Sequence, residues 1–166
     1  MGLQVLLTQL QAGDSMNNRK TLPGHITGSA IVLSPDREKI LLIDHKLMKM
    51  WLQPGGHWDP EEPDPWTAAK REAVEETAVE LAEQLVPYGD AHMPLQIETH
   101  PIPARPDKNE PEHYHHDFRY AFIAKSEELS HQEHEVAAAG WFTFDAPEAV
   151  NMQSALAKLR IAKLIP

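Results

Sequence analysis

The chain has 166 residues, 42% of them hydrophobic, and a formal net charge of -10. That length and mixture of residue types suit one domain with a genuine core and argue against a disordered chain. Cysteine is absent, which excludes a disulfide framework, a thiolate-ligated zinc site and a thiol nucleophile, and suits a reducing cytoplasm.

Met1-Gly2-Leu3-Gln4-Val5-Leu6-Leu7 carries neither a basic leader nor a long apolar run, so no signal peptide or membrane span is expected. The basic residues are scattered through an acidic chain, which disfavours nucleic acid polymers and acidic membrane surfaces as partners. A small phosphorylated ligand remains compatible, because a bound cation reverses the local field.

Leu3 to Leu10 has helical spacing and ends near Ala12-Gly13-Asp14, which predicts an N-terminal helix and linker over 1–24 ahead of a main domain over 25–166. From His25 the pattern changes: ITGSAIVLS and KILLIDH are β-rich runs around Ser34-Pro35-Asp36, read as a hairpin. MWLQPGG brings an extended segment into a glycine turn. PDPWTAAKREAVEETAVELAEQL reads as a helix, with Asp64 as N-cap and Pro65 at the first helical position. Leu95 to Thr99 suits a strand, Pro101 to Pro111 a proline-rich excursion, and HYHHDFRYAFIAK a further strand. Trp141 to Phe144 is a short strand, and Ala146 to Ile165 a helix with one apolar face. The sum is a mixed α/β domain.

The helical spacing places Glu72, Glu75 and Glu76 on one face, where like charges repel. Between His57 and Glu83, Asp and Glu outnumber Lys and Arg nine to two, so protein cations cannot neutralise the cluster, although Arg71 can reach Glu75 at i+4. A hard divalent cation can: clustered carboxylates, backbone carbonyls and water are the ligands of Mg²⁺ or Mn²⁺, which often complete their shell with substrate phosphates. A solvated acidic face is the plain alternative. The adjacent Gly55 and Gly56, which let backbone approach the same ligand, favour the cation.

At these residues the chain resembles the Nudix hydrolase family, whose signature is Gly-x5-Glu-x7-Arg-Glu-U-x-Glu-Glu-x-Gly-U, with U a bulky aliphatic residue. Gly56, Glu62, Arg71, Glu72, Glu75, Glu76 and Val79 match its fixed points. Eight residues, not seven, separate Glu62 from Arg71, Ala78 stands in place of glycine, and Ala73 is small for its U position. The extra residue lies in Pro60 to Pro65 and leaves the helical spacing untouched, but Glu61 and Glu62 both remain candidates for the first glutamate. Alanine at 78 predicts no left-handed cap and a helix running on toward Glu83.

The resemblance covers most of His25 to Phe144. It implies an α/β/α sandwich with a mixed β-sheet, preceded here by the N-terminal helix, and metal-dependent hydrolysis of a diphosphate linkage in a nucleoside diphosphate derivative. Glu72 and Glu76 would be the principal metal ligands, Glu75 a further ligand or the base, the Gly55 carbonyl part of the shell, and Arg71 the residue that orients carboxylates. A loop glutamate after the box often joins the site in that family, and Glu135 is the favoured candidate over Glu133. A catalytically inactive nucleotide sensor is the alternative. Many family members are dimers, so the N-terminal helix is a surface for a homodimer.

Read as a strand, HYHHDFRY places His113, His115, Asp117 and Arg119 on one face. That face either lines the substrate cleft, with Arg119 or His115 on phosphate or base, or is simply solvated. His113 and His115 at i, i+2 suit zinc, but the sequence presents no third ligand. His57 is a candidate phosphate contact or a turn residue. Trp51, Trp58 and Trp66 read as packing, with Trp58 alone placed to stack on a base.

Overall fold

The computed structural model describes residues 2–90, 92–130 and 136–166. Helix α1 spans Gly2–Ala12, and strands β1 (Gly24–Leu33) and β2 (Lys39–His45) follow as the expected hairpin. Its turn is closed by Ser34 Oγ donating to Asp36 Oδ1. Short strands β3 (Met50–Leu52) and β4 (Gly55–His57) precede helix α2 (Pro65–Thr77). Then come β5 (Leu81–Leu85), β6 (Gln96–Ile102), β7 (His113–Ala124), β8 (Val136–Thr143) and helix α3 (Gln153–Ile161), the last preceded by a 3-10 turn over Pro147–Met152.

The strands form one mixed eight-stranded sheet with path β3-β2-β1-β7-β5; β4 pairs with β1, β6 with β7 and β8 with β2. Strands β1 and β7 run parallel through its centre, from Gly24 beside Tyr114 to Leu33 beside Ile123. Alternation along these two strands sorts the core into layers. Ala30, Val32, Tyr120 and Phe122 face α2, packing on Ala69 and Ala73. Ile31, Leu33, Ala121 and Ile123 face α3 through Leu156 and Leu159. Helix α1 lies on the α2 side, where Leu6 meets Met16 and Ile26, while Leu3, Leu7 and Leu10 stay exposed. The result is the expected α/β/α sandwich with an N-terminal helix.

Several boundaries differ from expectation. Helix α2 stops at Thr77 because Ala78 adopts the left-handed conformation, φ 54°, with its amide on the Val74 carbonyl. Ala78 is exposed, so its methyl strikes no neighbouring element and bears only the local cost of that conformation, and the residues expected to prolong the helix pair instead with β7 as β5. Gly55 and Gly56 form no turn; they lie in β4, opposite Ser29 and Gly28. Strand β6 runs through Pro101 to Ile102, an edge position where a missing N–H costs no ladder bond. Strand β8 begins at Val136, earlier than Trp141. No helix among the described residues is long and apolar enough to cross a membrane.

Candidate functional site

Helix α2 is started as its sequence predicts. Asp64 accepts the Thr67 amide at 2.8 Å, and Pro65 occupies the first turn, where its missing N–H is harmless. The helix lies close to the sheet because Gly28 is beneath it: a Cβ there would strike the Pro65 carbonyl oxygen and the Ala69 amide. On the same face a Cβ at Gly56 would strike the Glu72 carboxylate. The two glycines matter for the space they leave rather than for an unusual φ.

Arg71 is the hub of the acidic cluster. Its Nε donates to Glu62 Oε1 at 2.8 Å and its Nη2 to Glu62 Oε2 at 3.3 Å, while Nη1 serves Glu72 Oε1 at 2.8 Å and Glu75 Oε2 at 3.1 Å. Nη2 also reaches the His57 carbonyl at 3.0 Å. The Glu62 hydrogen bonds first, then those of Glu72 and Glu75, hold the guanidinium proton above its ordinary range. One cation thus organises three carboxylates without matching their charge. Glu76, buried, accepts the Gly55 amide at 3.0 Å, which places its carboxylate against β4.

These contacts answer the question left by the extra residue. Glu62, not the exposed Glu61, engages Arg71. The loop is folded around it: Asp59 N donates to Glu62 Oε2 and Trp58 Nε1 to the Glu62 carbonyl, both at 3.0 Å. Trp58 packs near Leu6 and Ile26. The structure therefore brings Gly55, Arg71, Glu72, Glu75 and Glu76 together. Glu133 and Glu135 lie outside the described residues.

The other expected residues fall on the α3 side of the sheet. Arg119 is 7% exposed and donates from Nε to Asp117 at 2.8 Å, with Nη2 at 2.8 Å from Glu98. Asp117 also accepts Ser29 Oγ at 2.6 Å and Gln53 Nε2 at 3.2 Å. His57 and His115 sit farther along the same face, their rings 5.3 Å apart. Sequence reasoning missed His25, whose ring lies 5.1, 5.0 and 4.8 Å from those of His57, His113 and His115. Its alternation with Thr27 and Ser29 on β1 was the available signal. Burial first, then repulsion from His57 and His113, lowers His25 to about 4; burial, then His25 and His57, lowers His115 to about 2.

The carboxylate site fits a divalent cation by the chemistry of its donors. Glu72, Glu75 and Glu76 supply hard anionic oxygens around the Gly55 and Gly56 backbone, and the nearby cation, Arg71, leaves them in excess.

The NUDIX domain family model matches residues 24–163. A relative from Lactococcus lactis subsp. cremoris (strain MG1363), named a probable DHNTP pyrophosphohydrolase, is 35% identical over 124 residues, 75% of this chain and 66% of its own length. This chain therefore spans just under two thirds of that relative. A NUDIX family hydrolase from Clostridium perfringens superposes with a TM-score of 0.62 at 23% identity, covering 82% of this chain and 97% of that one. A C. elegans Ap4A hydrolase gives 0.58 at 20% identity, covering 84% and 97%. At such identity the two structures speak to the fold. The family match spans the sheet, the α2 box and α3 together, and on that ground the chain belongs to the NUDIX domain family.

Proposed function

We propose that the chain hydrolyses a diphosphate linkage in a nucleoside diphosphate derivative or related small phosphorylated metabolite, with Mg²⁺ or Mn²⁺ as its cofactor. The observation that carries this reading is the Arg71 network, which gathers Glu62, Glu72 and Glu75 beside a strand whose Gly55 amide fixes Glu76. The Lactococcus relative, named a probable DHNTP pyrophosphohydrolase, supports the reaction class.

Glu72 and Glu76, with the Gly55 carbonyl, would hold the metal. When bound, such an ion polarises phosphate oxygens, offsets charge on the leaving phosphate and lowers the pKa of bound water. The chain's own part is positional. Arg71 fixes the carboxylate rotamers, and Gly56 keeps β4 clear of Glu72. Glu75, 53% exposed at its side chain, stands where it can join the metal shell or take the proton from the attacking water. Glu135 is the other candidate base. General-base assistance is worth roughly 10²- to 10⁴-fold.

Arg119 is engaged with Asp117 and Glu98, so its proposed contribution to substrate binding is indirect, through the orientation of Asp117. His57 and His115 line a pocket with Arg19, Arg105 and Glu110, whose carboxylate pairs with both arginines, so their proposed contact with substrate is by imidazole hydrogen bonding. The alternative is a nucleotide sensor without turnover, which an altered box spacing would favour; the loop around Glu62 absorbs the extra residue and leaves the α2 carboxylates in helical register.

Phosphate-product release decides between them. A panel of DHNTP, nucleoside triphosphates, Ap4A and ADP-ribose is assayed with Mg²⁺ or Mn²⁺. Metal-dependent turnover supports hydrolysis and names the substrate, whereas tight binding of one nucleotide without turnover supports the sensor.

A further inference from the structure

His25, His113 and His115 converge at the end of the sheet where β1 and β7 begin. One ligand nitrogen from each lies within 4.8 Å of the other two. His113 Nε2 and His115 Nε2 are 3.3 Å apart, a ring-to-ring hydrogen bond in the metal-free chain that a bound ion would replace. A tetrahedral ion with metal–nitrogen bonds of about 2.0–2.1 Å sets its ligand nitrogens about 3.3–3.4 Å apart, so that pair already has the required spacing. Among the described residues neither ring nitrogen of His25, 1% exposed, makes a hydrogen bond of ordinary geometry, the Thr21 backbone approaching the ring without closing one. A buried imidazole with two unsatisfied nitrogens is costly unless something else engages it.

The tautomer of His113 agrees with a ligand role. His113 Nδ1 is 2.9 Å from the Pro111 carbonyl, which can only accept, so Nδ1 carries the proton and Nε2 presents its lone pair to the cluster. An outer hydrogen bond of this kind is how a ligating imidazole is held in orientation. Imidazole nitrogens suit zinc and its neighbours over Mg²⁺.

We propose that His25, His113 and His115 form a site for a zinc-class transition ion, distinct from the α2 carboxylates. Its fourth position opens on the pocket that Arg19, Arg105 and Glu110 also line, where water or an anionic group completes the shell. The ion would clamp β1 to β7, beside His57, whose carbonyl holds Arg71.

The test uses Co²⁺, a spectroscopic stand-in for Zn²⁺, titrated into the metal-free chain in excess Mg²⁺. One equivalent should produce the intense visible bands of tetrahedral coordination, and Zn²⁺ should abolish them by displacement. His115→Gln and His25→Asn should each weaken binding by more than the roughly 10- to 100-fold that loss of an outer-sphere partner costs, while Glu76→Gln retains the bands. If His25→Asn fails to fold, as judged by circular dichroism, His115→Gln and His113→Gln carry the comparison. Bands that survive in the folded histidine variants, disappear in Glu76→Gln, or never form in the native chain would overturn the assignment.

Discussion

Glu62 meets Arg71 fork to fork, Nε to Oε1 at 2.8 Å and Nη2 to Oε2 at 3.3 Å, across the loop that holds the extra residue. The pair joins the loop to α2, and the other amino group of Arg71 is thereby aimed at Glu72 and Glu75. Glu62→Ala should therefore lower kcat and cost about 1–3 kcal/mol of stability, since it removes a charge-assisted bidentate pair that is largely shielded. Glu61→Ala, at an exposed position, should change stability by less than about 0.5 kcal/mol and leave turnover intact. Urea denaturation and steady-state assays on both variants check this.

Gly56→Ala would place a methyl group on the Glu72 carboxylate, and Gly28→Ala one on the α2 backbone at Pro65 and Ala69. A flexible carboxylate can move aside, so Gly56→Ala should fold but lose most metal-dependent turnover. The helix backbone cannot, so Gly28→Ala should cost about 1–3 kcal/mol by overpacking. Comparing melting temperature with activity in the two variants separates these effects.

Ala78 is held at φ 54°, a conformation that disfavours any side chain with a Cβ. Ala78→Gly should stabilise the chain by about 1 kcal/mol, the strain relieved outweighing the entropy that glycine adds to the unfolded state. An unchanged or lower urea midpoint would count against that ending of α2.

The histidine cluster predicts acid sensitivity of the metal-free chain. His25 and His115 are lowered in the fold, to about 4 and about 2, from an unfolded value of 6.5, with His57, His100, His113, Arg19, Arg105 and Glu110 around them. The unfolded state then binds more protons below pH 6.5. Stability is present above that pH and is lost as pH falls from 6.5 toward 4, by on the order of 1 kcal/mol per histidine per pH unit. Denaturation midpoints in chelator at pH 7 and pH 5 measure the slope, and His115→Gln should flatten it.

What the sequence disclosed follows from how local each signal is. The α2 start was legible because Asp64 and Pro65 act within one turn, and the glutamate face because helical spacing is arithmetic. The end of α2 was not: Ala78 turns left-handed because pairing of β5 with β7 outweighs an alanine's local preference, and no neighbouring residue announces that. The choice between Glu61 and Glu62 depended on a loop geometry that adjacent prolines leave undetermined. His25 is some ninety positions from its partners, and only the parallel pairing of β1 with β7 brings His25 beside His115.

The most direct measurement is product release from DHNTP and the nucleotide panel in Mg²⁺, comparing the native chain with a folded Glu76→Gln variant. Glu76 is fixed by the Gly55 amide and belongs to the carboxylate site by geometry. Pyrophosphohydrolase turnover by the native chain, dependent on Mg²⁺ or Mn²⁺ and reduced by at least about 10²-fold in Glu76→Gln, is the expected result. Equal turnover in the two proteins, or turnover indifferent to the metal, would show that the α2 carboxylates do not carry the chemistry.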